Sequence, residues 1–165
     1  MLVVACALGG CSAPASAPPD PNGAGEGVGP TTAPPLDAYG RIIYVPAYSH
    51  IYHARHNRDF QLTVTLSVRN PYPDRSLTVT RIDYFDSMGD FVRGHLDGPR
   101  VLRPLETLEV IVAEDDESGG SGANFLVGWL DEGEGWGPLA EAVMIGTSGG
   151  QGLSFVSRGS PLPPG

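Results

Sequence analysis

Between Phe60 and Asn70 the chain alternates with a period of two. Leu62, Val64, Leu66 and Val68 are apolar, and Gln61, Thr63, Thr65, Ser67 and Arg69 between them are polar. Successive side chains of a strand point to opposite faces, so this run predicts a strand with one buried and one wet face. Asn70-Pro71-Tyr72-Pro73-Asp74 ends it, because proline cannot donate to a ladder and Asn-Pro opens turns. Leu77–Phe85 predicts a second strand, whose apolar phase shifts between Val79 and Ile82 and so calls for a bulge. Asp86–Asp90 reads as a hairpin loop with Gly89 left-handed, and Phe91–Leu96 returns from it. Thr107–Ala113 alternates again, with Leu108, Val110 and Val112 on one face. Phe125, Val127 and Trp129 continue the theme, as do Val143 with Ile145, and Leu153, Phe155 and Val156. Arg41–Val45 supplies a first strand.

The pattern gives seven to eight short strands with turn signals every ten to fifteen residues. Leu139–Met144 comes nearest to a helical period and is too short to stand as a helix alone. The fold class this predicts is an all-β antiparallel β-sandwich, immunoglobulin-like in layout, over residues 39–158, with residues 159–165 fraying.

The first 38 residues break the pattern. Residues 2–10 are a short apolar run ending in small residues, the shape of a signal-peptide core and too short to span a bilayer. The basic segment that normally precedes such a core is missing, which predicts a start upstream of Met1. Leu8-Gly9-Gly10-Cys11-Ser12 resembles a bacterial lipobox, so residues 1–11 read as a lipoprotein signal with Cys11 the lipidated residue. In residues 12–35, 20 of 24 positions are Pro, Gly, Ala, Ser or Thr. Such a stretch has little to bury against the entropy of ordering, and residues 12–38 read as a disordered tether with a reach of ~25–30 Å. The expected location is the bacterial cell envelope, held to the membrane through Cys11, and Ser12 after it resembles the outer-membrane sorting pattern.

Charge and composition narrow the chemistry. All ten basic residues are Arg, which excludes Schiff-base and phosphate-binding lysines. A formal charge of −9 argues against nucleic acid. Cys6 and Cys11 both precede the body, which therefore has no disulfide, cysteine nucleophile or cysteine-ligated metal. No cofactor is expected.

Three blocks resemble one bacterial family: Tyr44-Val45-Pro46-Ala47-Tyr48-Ser49-His50-Ile51-Tyr52, Ser118–Phe125 and Ile145–Phe155. The segments around Leu66–Asn70 and Ile82–Gly89 fit it too. The family is domain of unknown function 3124, and the resemblance covers most of residues 41–158. It implies an envelope-exported domain and carries over no catalytic or binding residue.

Several residues invite chemistry. His50, His53 and His56 suggest a metal, but on a strand a spacing of three puts His53 on the face opposite the other two, and an Arg/His-rich loop is the plainer reading. Glu114, Asp115, Asp116 and Glu117, followed by Ser-Gly-Gly-Ser-Gly, suggest an irregular calcium loop against the plainer reading of a solvated acidic turn. Gly146-Thr147-Ser148-Gly149-Gly150 matches the G-x-S-x-G of a hydrolase elbow, yet a strand follows where that motif needs a helix. The Gly/Ser loops 118–124 and 146–152, if they meet at one end, would form a floor with Ser121, Asn124, Ser148 and Gln151 as polar contacts, able to cradle an anion; otherwise they are tight turns. Tyr48 and Tyr52 flank His50, and Trp136 is a lone aromatic in an acidic Gly-rich loop, either docked back as a plug or protruding toward a partner. The leading expectation is a non-catalytic envelope lipoprotein binding a protein or glycan partner. The alternatives are a metal module built on His50 and residues 114–117 and, more remotely, a hydrolase built on Ser148.

Overall fold

The alternating run beginning at Phe60 splits into two elements. β3 (Arg55–Gln61) pairs back on β2 (His50–His53) as a hairpin, and β4 (Thr63–Arg69) follows. The break falls at Leu62, which is fully buried and whose N–H donates to Ser49 O at 2.9 Å. Within β4, Val64, Leu66 and Val68 face the core as the period of two requires. The structure, a computed structural model, describes residues 32–53, 55–130, 135–148 and 150–163, with the backbone alone for 55–58. Residues 1–31, on which the expected signal, lipobox Cys11 and most of the expected tether fall, lie outside the described residues.

The other strands are β1 (Arg41–Pro46), β5 (Leu77–Phe85), β6 (Phe91–Gly94), β7 (Arg100–Leu102), β8 (Thr107–Val112), β9 (Asn124–Trp129), β10 (Leu139–Ser148), β11 (Gln151–Arg158) and β12 (Ser160–Pro161). One sheet runs β12-β1-β9-β5-β6 with β7 also on β5; the other runs β11-β10-β4-β8. Every strand pairing in them is antiparallel. Their inner faces share one core, with Val45, Tyr84 and Phe125 from the first sheet and Leu66, Val110 and Met144 from the second. The chain is thus an all-β sandwich. Counting β1, β4, β5, β6, β8, β9 and β10 as seven main strands, the second pairs with the fifth and the third with the sixth, as in the immunoglobulin layout. The first and seventh have traded flanks, β1 lying beside β9 and β10 beside β4.

Local details follow the residues. The register slips between Val79 and Arg81, leaving Thr80 as the bulged residue; its hydroxyl donates to Tyr39 O at 2.7 Å. Gly89 has φ +83° in the 86–90 hairpin, where Asp86 Oδ1 accepts from the N–H groups of Met88 and Asp90. β10 corrects the sequence reading in both period and phase. It is a ten-residue strand that turns Ala140, Ala142 and Met144 inward and leaves Ile145 50% exposed. Next to Ala140, Ile43 and Val45 of the facing sheet leave Gly159 no room for a Cβ. The expected fraying after residue 158 is also overtaken. Ser160 and Pro161 pair with Tyr44 and Ile43, and Leu162 N–H donates to Ile42 O at 2.9 Å.

The two open sides of the sandwich close differently. On one side the chain itself crosses from β11 to β12, with Gly159 N–H donating to Ala140 O at 2.8 Å. On the other, Arg93 of β6 forms an ion pair with Asp116 after β8. On the outer face of the first sheet Asp83 is only 1% exposed, held by Arg81 at 2.8 Å and 3.2 Å, with Tyr39 packed beside them. Burial first, then the Asp83 carboxylate, push the Tyr39 phenol well above its ordinary range.

Registers also define two ends. Pro46 lies opposite Asn124, which lies opposite Phe85; in the second sheet Met144 lies opposite Val64 and Val64 opposite Val112. Loops 47–62, 86–90, 113–123 and 147–151 therefore leave from one end. The chain enters at Gly40 and Arg41, beside Trp129, at the other end.

Candidate functional site

Seven of the eight residues singled out as a binding surface come to the end remote from the chain's entry. Tyr48 packs edge-on against Phe155 of β11, with ring centroids 5.7 Å apart. His50 meets Tyr52 edge-on at 5.4 Å, and Tyr52 is exposed. Ser121 and Asn124 are half-buried, and Ser148 and Gln151 are exposed and lie opposite each other in the β10–β11 hairpin. The β2–β3 hairpin bridges the two Gly/Ser loops. On one side Ser49 N–H and Oγ both donate to Gly120 O at 3.1 Å; on the other, Phe60, Gln61 and Leu62 leave Gly146 no room for a Cβ. The two loops therefore flank a β-hairpin instead of forming a shared floor.

Loop 118–124 is held from beneath. Ser87 N–H and Oγ donate to Gly119 O, both at 3.0 Å, and Ser87 Oγ accepts from Gly122 N–H at 2.8 Å. Ala47 N–H donates to Ala123 O at 2.9 Å. Three N–H groups that an anion cradle would use are already bonded: Ser118 to Asp116 Oδ1, Gly120 to Glu117 O and Gly122 to Ser87. Under Gly119 lies Tyr84, fully buried, its hydroxyl without a partner among the described residues; Ser49 beside it spends its proton on Gly120. Burial, then the Asp116 carboxylate, push the Tyr84 phenol up to about 12. His95 stacks at an angle on Tyr84 and Phe125, and its Nε2 is also unpartnered. Burial and the Arg93 guanidinium hold it down at about 4, so the ring is neutral at pH 7. This Ser49–Ser87–Tyr84–His95 support escaped the sequence reading, because Ser49, the Tyr84–Ser87 stretch and His95 lie on three separate segments whose meeting no local spacing signals.

The metal and hydrolase alternatives find little in the geometry. Among the described residues no three His, Cys, Asp or Glu side chains converge as a metal site would require. Asp116 is taken by Arg93 and Ser118, which hold its carboxyl below the usual range against the opposing effect of burial, and Glu117 accepts from Gln61 Nε2 at 2.8 Å. Glu114 and Asp115 point to solvent. Ser148 ends a strand, and the turn after it leads into another strand, so the elbow context is not met.

Trp136 lies at the opposite end, apart from the other seven, and it protrudes with 85% of its surface exposed. Its carbonyl accepts from Tyr72 Oη at 2.7 Å, and neighbouring Gly137 packs on the Trp129 indole. A groove of about 440 Å³ opens there, lined by Ile43, Trp129, Trp136, Pro138, Leu139 and Arg158 among others. Among the described residues no helix is long and apolar enough to cross a membrane.

Residues 40–162 match the profile of a family described as protein of unknown function, DUF3124. No curated protein and no solved structure matches the chain.

Proposed function

The chain belongs to the DUF3124 family, and we propose that it is an envelope lipoprotein, anchored through Cys11, whose sandwich presents the remote end to a protein or glycan partner. The observation that carries this reading is the convergence of Tyr48, His50, Tyr52, Ser121, Asn124, Ser148 and Gln151 on the end opposite the entering chain. The chain enters the sandwich at Arg41, and β1, roughly 20 Å long at strand rise, carries it from there to the remote end. The surface suits recognition. It joins aromatic side chains, which carry interface energy at small entropic cost, to hydroxyl and amide groups, and loop 118–124 among them is braced from below.

Photo-crosslinking in cells tests the reading. A photoreactive amino acid at Tyr52 and one at Gln151 are expected to give the same adduct, and one at Val101 to give none. In Cys11→Ser cells the domain leaves the membrane fraction and the adduct falls. Adducts that differ between Tyr52 and Gln151, or that form equally from Val101, would end the proposal.

A further inference from the structure

β11 is the long free edge of the second sheet, whose order is β11-β10-β4-β8. The direction of its backbone groups follows from Gly159, whose N–H donates to Ala140 O in step with the β10–β11 register. Alternate residues of an antiparallel strand bond to opposite sides. Leu153, Phe155 and Ser157 therefore bond to β10, while Gly152, Ser154 and Val156 aim N–H and C=O away from the sheet. Among the described residues no strand takes those groups up. Such an edge is a template for another strand unless something guards it. The other edges of the two sheets are guarded. β12 is two residues long and holds Pro161, β6 and β7 are four and three residues long and carry Arg93 and Arg100, and β8 carries Glu109. β11 pairs with β10 without a register shift, and from Gln151 to Ser157 it has neither a charge nor a proline.

We propose that β11 pairs with β11 of a second copy of this chain, antiparallel about a two-fold axis at Ser154, so that the four-stranded sheet continues across a homodimer. Self-complementarity selects the second copy. Ser154 is the middle of the uncharged span 151–157, and an axis there sets Gly152 opposite Val156 of the second copy, Leu153 opposite Phe155 and Gln151 opposite Ser157. Val156 is 53% exposed on the outer face, and a Cβ on Gly152 would meet nothing within 4 Å, so the glycine leaves room for the valine. Leu153, 38% exposed, meets Phe155 on the inner face at a non-hydrogen-bonded position, where side chains come closest, and both cover apolar surface that one copy alone leaves wet. Charge agrees. The chain carries −9 overall, yet this edge is neutral, and the two Arg158 side chains lie at its opposite ends. A different protein would have to supply that complement, whereas a second copy always carries it. One strand edge is a small interface, below about 1,200 Å², so the dimer dissociates on dilution.

The pairing is antiparallel, so the two remote ends face opposite ways, and the inference stands apart from what those ends bind. Gln151 belongs to both surfaces; a copy-to-copy adduct from it has twice the chain's mass and is read separately from a partner adduct. Sedimentation velocity tests the dimer on the full chain carrying Cys6→Ser and Cys11→Ser, which removes lipidation and disulfides as causes of association. The expected result is a shift from monomer to dimer as concentration rises. Over the same range amide exchange at Ser154 and Val156 should slow severalfold, while Leu153 and Phe155, already bonded to β10, keep their rates. Ser154→Lys and Ser154→Glu each set like charges opposite one another at the axis. Each should be monomeric with an unchanged melting temperature, because the Ser154 side chain is exposed. Mixed in equal amounts, the two should dimerise again. A chain unsubstituted at Ser154 that stays monomeric at every concentration would overturn the proposal. So would a dimer that both variants keep, exchange that slows at Leu153 and Phe155 instead, or an equimolar mixture that stays monomeric.

Discussion

The Tyr84 hydroxyl occupies the space that a Cβ on Gly119 would fill. Gly119 is fully covered and its carbonyl is gripped by Ser87, so neither partner can step aside cheaply. Gly119→Ala should cost about 1–3 kcal/mol, the usual range for overpacking. Tyr84→Phe removes an unpartnered buried hydroxyl and should be neutral or stabilising by up to about 1 kcal/mol. In the double variant most of the Gly119→Ala loss should return. Urea unfolding of the four species checks this, and strict additivity would show that the clash is absorbed elsewhere.

His95 sets a pH dependence. Its folded pKa of about 4 lies below its ordinary 6.5, through burial and the Arg93 charge, against weaker pulls from Asp83 and Asp116. The unfolded chain therefore binds more protons between those values. The contribution is fully present above pH 6.5 and is lost as pH falls to about 4. The loss is bounded at about 3 kcal/mol by the size of the shift. In His95→Phe the difference in unfolding free energy between pH 7 and pH 4.5 should shrink; an unchanged difference would move the acid sensitivity elsewhere.

Leu105→Gly should leave stability unchanged or raise it by up to about 1 kcal/mol, because glycine adopts φ +61° without strain and the lost side chain is mostly in water. Thermal unfolding decides; a clear loss would mean that Leu105 packs more than its exposure suggests.

What could be read in the sequence follows from which signals are local. The alternation of Val64, Leu66 and Val68, the phase slip at Val79–Ile82 and the glycine turn at Gly89 each sit within a few residues, and each appears where expected. β10 misleads because Ala140, Ala142 and Met144 are buried while Val143 and Ile145 face outward, a phase set by its registers with β4 and β11 and not by local hydrophobicity. The Gly/Ser loops were visible as chemistry but not as neighbours of the β2–β3 hairpin, whose placement rests on Ser49 and Leu62, far apart from loop 118–124 in the chain. Trp136 stood out by composition, yet only the registers put it at the end away from Tyr52.

Buried Asp83 makes a prediction about pairing. With Arg81 at its oxygens and Tyr39 alongside, the carboxylate is satisfied only as a pair. Asp83→Ala leaves a partly buried guanidinium and should cost about 2–4 kcal/mol, whereas Asp83→Leu with Arg81→Met should recover much of that. Calorimetric melts of the single and double variants check it; a double variant worse than Asp83→Ala would show that the polar pair also fixes how residues 36–39 lie on the sheet.

Ser87 tests whether the remote end depends on its bracing. Its single hydroxyl donates to Gly119 O and accepts from Gly122 N–H, so Ser87→Ala unties two points of loop 118–124 at once. The side chain is exposed, and water can replace both bonds, so global stability should fall by no more than about 1 kcal/mol. The local effect should be larger. Amide exchange at Gly122 should quicken well beyond what the global loss predicts, while Val64 and Val127 in the central strands keep their protection. If the partner reads Ser121 and Asn124 on a preformed loop, crosslinking from Tyr52 should weaken in Ser87→Ala in step with that faster exchange. Crosslinking at full strength from a loosened loop would confine recognition to the β2–β3 and β10–β11 hairpins.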